Sequence, residues 1–396
     1  MHSLTQPVMA MPILGSILLV PVVGGSVYVI LCLFTIARFR TLSQRPSAQS
    51  FTAWPPVTIL KPVHGLEKNQ RENLRSTCIQ DYPEFQVVFS VQELDDPVIP
   101  LLKELQQEFG SNRVTLAIEN KRCGTNGKIN NMIGGLPYAR NEILVISDSD
   151  VHLLPDYLKT IVGPLADPSV GCVCTLYKAA CAHSWYEKVE LLTLNADFMT
   201  SVVFAHVTGA VQFCLGASTA LRRSTLNEIG GLEALADYLV EDYEMGRRIW
   251  MSGKRLVVVP YLVDTMVDLK SPDQWWSHQV YWDQNNRAAR PFAYLATVII
   301  RSVPFALLYA LIRLTSPFAW AVLGGALLLR LATAAIILGW GLRDWEGLRS
   351  LWLLPFRDIA AFVSWILAYT KRTTIWRGNE FILTRDGRLL PRGAKT

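Results

Sequence analysis

Strand-like and helical stretches alternating between residues 57 and 150, with uncharged stretches at both ends of the chain, predict an α/β domain flanked by membrane helices. Residues 57–60, 85–91, 113–118 and 143–147 are apolar, largely β-branched runs, and 67–79, 97–109 and 128–136 have helical spacing between them. Strands joined by helices imply a parallel sheet with right-handed crossovers, which binds ligands at the carboxyl ends of its strands. The 396 residues are 51% hydrophobic and 18% charged, whereas an ordinary soluble domain is about 25% charged. Those values exclude a disordered chain and a small stapled domain.

The membrane segments follow from charge placement. Residues 3–37 carry no charged side chain, and 11–37 exceed the roughly 20 helical residues that span a hydrocarbon layer. Arg38, Arg40 and Arg45 come after the apolar run, the reverse of a cleaved signal, and place the amino terminus outside. Charges return at ordinary density over 61–290. Beyond Arg290, apolar stretches at 292–312, 316–340 and 351–369 are punctuated by Arg301, Arg330, Arg357 and Asp358. A charge at mid-membrane costs on the order of 3 kcal/mol, so not every stretch needs to cross. Lys371, Arg372, Arg377, Arg385, Arg388 and Arg392 favour a cytoplasmic tail, hence two full crossings plus one interfacial or re-entrant segment after Arg290. The expected layout is an anchor (1–40), a cytoplasmic domain (55–290), membrane segments (291–370) and a basic cytoplasmic tail (371–396). A bacterial inner membrane is compatible with that topology.

A net charge of +5 without a dense basic block argues against nucleic acid as a partner. The seven cysteines have no zinc-like spacing and read as reduced, buried thiols; His64, His152, His183 and His206 have no mutual metal spacing either.

Polar residues follow the strands. The first run leads into Lys61, Pro62 and His64, the second into Gln92, Glu93, Asp95 and Asp96, the last into Asp148, Ser149 and Asp150. Alternate carboxylates at a strand end can converge on a hard divalent cation that leaves positions open for phosphate, or can serve as a turn and cap before Pro155. The loop Gly124-Thr-Asn-Gly-Lys128 allows close backbone approach and offers Lys128 to a phosphate, but lacks the spacing of a nucleotide-hydrolysing phosphate loop. Small residues over 213–222 suit a tight wall around a ligand. Asp242, near a helix start in Glu241-Asp-Tyr-Glu244, reads either as a cap or as a general base.

In order, Lys61-Pro62, Gln92–Pro97, Gly127-Lys-Ile-Asn-Asn131, Ser147–Asp150, Gly216-Ala-Ser and Glu241-Asp-Tyr243 between membrane segments resemble the ceramide glucosyltransferase family, glycosyltransferase family 21, with its bacterial hopanoid glycosyltransferase relatives. The resemblance covers nearly the whole chain. It implies a GT-A type, Rossmann-like domain that moves a sugar, most simply glucose, from a UDP-sugar to a lipid hydroxyl with inversion, using Mg²⁺ or Mn²⁺. Asp96 then lies near the nucleotide with Lys61 and Lys128, Asp148 at metal and diphosphate with Asp150 beside it, and Asp242 is the base with Glu241 adjacent. The family's late (Q/R)xxRW motif meets His278-Gln-Val-Tyr281-Trp282, where the tryptophan matches and the arginine does not; Arg287 and Arg290 are substitutes for its contact to the diphosphate. Trp275, Trp276 and Trp282 also read as an interfacial aromatic belt, for the first two at least as readily as stacking on a sugar. Ceramide is the acceptor the resemblance favours, with a hopanoid N-acetylglucosaminyltransferase as the alternative. A processive polysaccharide synthase needs more spanning helices than this chain offers, and a nucleotide-binding transporter or scaffold predicts no dependence on Asp242.

Overall fold

The structure, a computed structural model, describes residues 6–43, 51–370, 373–376, 379–384 and 387–391. The described residues fall into two compact units, one within 1–39, 182–208 and 269–372, the other within 40–181, 209–268 and 373–396.

The second unit is built on one eight-stranded sheet of β1 (Val57–Pro62), β2 (Phe85–Val91), β3 (Val114–Ile118), β4 (Ile143–Ser147), β5 (Val151–His152), β6 (Val170–Ala180), β7 (Ser218–Arg222) and β8 (Arg255–Met266), in the order β3-β2-β1-β4-β7-β6-β8-β5. β1, β2 and β4 are buried along their whole length. Strands covered on both faces carry continuous apolar runs, which is why these three stand out in the sequence. Their side chains form the core with Leu74, Leu102 and Leu105 from the helices Gln70–Cys78 and Ile99–Phe109.

The sheet is parallel only in part. β1 pairs parallel with β2 and β4, and β2 with β3, but β7 runs antiparallel to both β4 and β6. A parallel neighbour requires a crossover that packs back on the sheet; the residues preceding β7, 182–208, belong to the other unit. β1 lies between β2 and β4, so the carboxyl ends of β1 and β4 flank the place where the strand order reverses, the usual ligand crevice of such sheets. Within the segment read from sequence as a basic tail (371–396), β9 (Thr373–Trp376), β10 (Asn379–Leu383) and β11 (Leu389–Pro391) form a three-stranded sheet. Of the seven cysteines, Cys123 and Cys181 are exposed and the other five are buried.

The other unit is helical. Leu14–Thr41, Pro317–Leu342 and Leu351–Thr370 are long and apolar enough to cross a membrane, and Pro291–Ile300 with Ser302–Ile312 form a pair bent by 54°, either a broken span or a re-entrant loop. Helices Trp185–Leu192 and Pro272–Ala289 join this unit, although their charge density had assigned them to the globular domain. Polar contacts hold Pro272–Ala289 and the Thr193–Phe198 continuation of Trp185–Leu192: Ser364 donates to Asp283 (2.5 Å), Asn195 to Asp344 (2.7 Å), and Arg357 Nε to Thr193 Oγ1 (3.2 Å). A polar face turned to membrane helices cannot be told from a solvated face by composition alone.

Candidate functional site

The turn after β4 presents Asp148, whose N–H donates to the Ala217 carbonyl at 3.1 Å, while Val151 N–H closes the turn on the Asp148 carbonyl at 3.3 Å. Asp150, two residues on, accepts from Thr265 Oγ1 on β8 at 2.5 Å. Ser149 donates to Glu67 at 2.9 Å.

Lys128 is brought to this turn by the helix Gly127–Gly135, whose start is capped by Asn126: its Oδ1 accepts from Lys128 N (3.0 Å) and Ile129 N (3.1 Å). Lys128 Nζ lies 2.7 Å from Asp148 Oδ1 and 3.1 Å from Glu241 Oε1, and donates to the Gly216 carbonyl at 3.3 Å. Glu241 opens the helix Glu241–Met251 and also accepts from Asn126 Nδ2 at 3.1 Å. Asp242 is next on that helix, its Oδ1 accepting from Tyr243 N–H at 2.8 Å. A Cβ on Gly216 would stand 3.0 Å from Asp242 Oδ2 and 3.5 Å from Lys128 Nζ, so this glycine is where the three meet. Lys128, Gly216, Thr219, Glu241 and Asp242 line one pocket.

The electrostatics are those of crowded acids. Burial, then the Glu241 charge, push the Asp242 carboxyl up to about 7, with Lys128 pulling the other way. Burial also raises Asp148, against the Lys128 ammonium, and Lys128 is held firmly charged by Asp148 and Glu241 despite its burial. Tyr177 of β6 faces the same carboxylates: burial first and then Asp242, Asp148 and Asp150 keep its phenol protonated.

Lys61, Asp96, His278, Tyr281 and Trp282 sit differently from Asp148, Lys128 and Asp242. Lys61, expected beside the nucleotide, is wholly buried under the turn, donating to Ser147 Oγ (3.3 Å) and the Val151 carbonyl (3.2 Å), and burial lowers its ammonium to about 8. Its contacts support the acidic turn from within. Asp96 is buried too, and its carboxylate accepts from Gly65 N–H (2.9 and 3.0 Å) and Val98 N–H (2.9 Å), fixing the turn after β1. His64, which the sequence had left unassigned, lies 3.2 Å from both Asp96 and Glu93. His278, Tyr281 and Trp282 belong to the helical unit, where His278 Nδ1 is 3.0 Å from Glu190, Tyr281 stacks on His278, and Trp282 packs edgewise on Phe198. Trp275 is buried there against Trp185 and Phe356.

Sequence reasoning missed Asn126, Thr265 and Tyr177. Asn126 carried a signal, an Asn directly before a helix; Thr265 and Tyr177 reach the site only through strand pairing and carried none.

The residues present fit a divalent cation. Asp148, Glu241 and Asp242 surround Lys128, and Asp150 adds its charge beside Asp148 with Lys61 buried below, so hard oxygen donors and negative charge are in excess.

A family model, glycosyl transferase family 21, matches residues 17–389. Ceramide glucosyltransferase 1 of Caenorhabditis elegans is 24% identical over 205 residues, 52% of this chain but only 44% of that protein; ceramide glucosyltransferase 3 of the same organism is 22% identical over 365 residues, 85% of this chain and 74% of that one. Among solved structures, the mannosyltransferase PcManGT from Pyrobaculum calidifontis, in complex with GDP-Man and Mn²⁺, shares the fold with a TM-score of 0.52 at 21% identity, over 88% of this chain and 98% of that one. A family model matching residues 17–389 spans nearly the whole chain, and the chain belongs to glycosyltransferase family 21.

Proposed function

We propose that the chain transfers a hexose, glucose in first place, from a UDP-sugar to the hydroxyl of a membrane lipid, ceramide in first place, with inversion at the anomeric carbon. The observation that carries this is Asp242 held against Gly216 beside Lys128 and Asp148, a base next to a charged cradle for a leaving diphosphate. The names of the worm relatives and the three helices of membrane-spanning length support the lipid acceptor. The positive-inside bias of Arg38 and Arg40 supports a cytoplasmic site.

In one displacement, the acceptor oxygen bonds to the anomeric carbon from the face opposite the diphosphate. The bond from that carbon to the diphosphate oxygen breaks with its electron pair, leaving UDP, and the hydroxyl proton passes to the Asp242 carboxylate. A positioned base contributes roughly 10²- to 10⁴-fold. Lys128 is placed to share the diphosphate charge. Asp148 and Asp150 are the residues that would hold Mg²⁺ or Mn²⁺, which when bound supplies Lewis-acid neutralisation of that charge.

The test is a transfer assay in detergent or membranes with Mg²⁺ or Mn²⁺, labelled UDP-glucose, UDP-galactose and UDP-N-acetylglucosamine, and ceramide and hopanoid acceptors side by side. The expected result is labelled glucosylceramide, lost in Asp242→Asn while metal-dependent UDP binding persists. A hopanoid product would replace the acceptor, loss of UDP binding in Asp242→Asn would remove that residue's role as base, and UDP binding without any product would favour a nucleotide-binding scaffold.

A further inference from the structure

The helix that carries Glu241 and Asp242 has no side-chain cap of its own: Val240 stands at its N-cap and offers no acceptor. Its start is set by whatever holds residues 236–240, and two segments do so. From one side, Thr125 donates to Asp237 Oδ1 through its N–H (3.0 Å) and hydroxyl (3.2 Å), Asn126 N–H donates to the Ala236 carbonyl (2.7 Å), and Asn126 Nδ2 to the Tyr238 carbonyl (2.9 Å). From the other side comes the C-terminal segment. Leu389 N–H donates to the Asp237 carbonyl at 2.8 Å, Leu239 N–H to the Gly387 carbonyl at 3.0 Å, and Tyr238 and Arg388 form an antiparallel bridge between them.

Side chains reinforce this pairing. Leu389 is buried, and its carbonyl accepts from Thr125 Oγ1 at 3.3 Å, tying the tail to the Lys128 loop as well. The Tyr238 ring lies under two guanidinium groups, Arg388 from the tail at 5.3 Å and Arg248 from the Asp242 helix at 5.5 Å. Leu239 precedes Asp242 by a single turn of chain, so a shift of the pinned strand moves the carboxylate.

We propose that Gly387–Leu389 form a positioning clamp for the catalytic helix: the chain's own C-terminal segment completes the site by adding a strand to residues 237–239 and so fixes Glu241 and Asp242 against Lys128. The clamp deepens the transfer reading and rests on it for its effect on turnover, but the clamp itself is a statement about which segment holds which.

The experiment uses the full chain with two substitutions. Leu389→Pro removes the N–H given to Asp237, and Arg388→Met removes the cation over Tyr238 while leaving the strand pairing. Amide hydrogen exchange across 237–245 reads the clamp, and donor kinetics read its consequence. In Leu389→Pro, exchange at Leu239 and over 241–245 should quicken about tenfold or more, as expected for losing one or two hydrogen bonds. Turnover should fall by about the same factor while KM for the UDP-sugar moves less than about threefold. Arg388→Met should show a smaller change of the same pattern at an unchanged melting temperature, which separates positioning from loss of fold. Unaltered exchange over 237–245 in Leu389→Pro overturns the clamp, as does unaltered turnover in an active chain. If the parent chain moves no sugar at all, the transfer reading fails and the exchange data alone decide the clamp.

Discussion

Lys128 Nζ stands 2.7 Å from Asp148 Oδ1, and this one ammonium also reaches Glu241 and the Gly216 carbonyl. Asp148 and Glu241 are therefore balanced through a single side chain that is 18% exposed. Lys128→Met removes the balance and, in the proposed reaction, one contact for the diphosphate. A charge-assisted hydrogen bond is worth about 1.5–3 kcal/mol, so kcat/KM for the UDP-sugar should drop about 10- to 100-fold. Steady-state kinetics at saturating Mn²⁺ measure it, and a change smaller than threefold would place Lys128 outside donor binding.

The pH dependence follows from Asp242. Burial, then Glu241, raise its carboxyl from 3.8 to about 7, and in the proposed role as base it works only as the carboxylate. Turnover should rise about tenfold per pH unit below that value and level off above it. Glu241→Gln removes the second-largest cause of the shift, so the midpoint should move to lower pH; a midpoint that does not move assigns the titration to another group. The sign for stability is the opposite one. A carboxyl with a raised folded-state pKa costs stability once the unfolded chain ionises, from about 3.8 upward, and the cost is complete above about 7. Asp242→Asn should therefore melt higher than the parent at about pH 8 and level with it at about pH 4, by differential scanning calorimetry in detergent.

Two glycines separate activity from fold. A Cβ on Gly216 meets the ends of two side chains, Asp242 and Lys128; these can move, so Gly216→Ala should lose about tenfold or more in turnover by displacing Asp242, the proposed base, with little change in melting. At Gly246 the Cβ would fall 2.2 Å from Cys214 N and 2.5 Å from Phe213 C, both backbone. Gly246→Ala should cost on the order of 3 kcal/mol through overpacking, more than the roughly 1 kcal/mol that alanine returns in helix propensity. Melting curves and kinetics of the two variants should therefore rank in opposite orders.

What was legible in the sequence follows from how each signal arises. β1, β2 and β4 are buried on both faces and read as continuous apolar runs. Asp148, Lys128 and Asp242 stand in short motifs where polar residues interrupt small or apolar ones, and the fold brings them to one place. β5, two residues long, has no period to detect, and the antiparallel entry of β7 depends on an excursion of the chain through the other unit. Lys61 could be located at a strand end, but not which way its side chain turns. The tail's charges suggested a solvated segment; the pairing of Leu389 with Asp237 joins residues far apart in sequence, which no local pattern encodes.

The charges inside the apolar helices have a structural reason that is also testable. Arg330 on Pro317–Ile336 and Arg357 on Leu354–Thr370 each contact both Asp197 and Asp358, with Arg330 Nε 3.0 Å from Asp358 Oδ2 and Arg357 Nη1 3.1 Å from Asp358 Oδ1. Within the helical unit these four side chains tie the segment Thr193–Phe198 to two helices of membrane-spanning length. Arg330→Met alone leaves two carboxylates with one cation in a poorly solvated place, a loss of about 3–5 kcal/mol for a broken buried pair. Pairing it with Asp358→Leu removes one charge of each sign, leaves Arg357 with Asp197, and should restore much of that loss. A double-mutant cycle on detergent melting midpoints measures the coupling. Additive losses would mean that Arg330 and Asp358 do not stabilise the unit through each other, and that Asp197 alone holds the arginines in place.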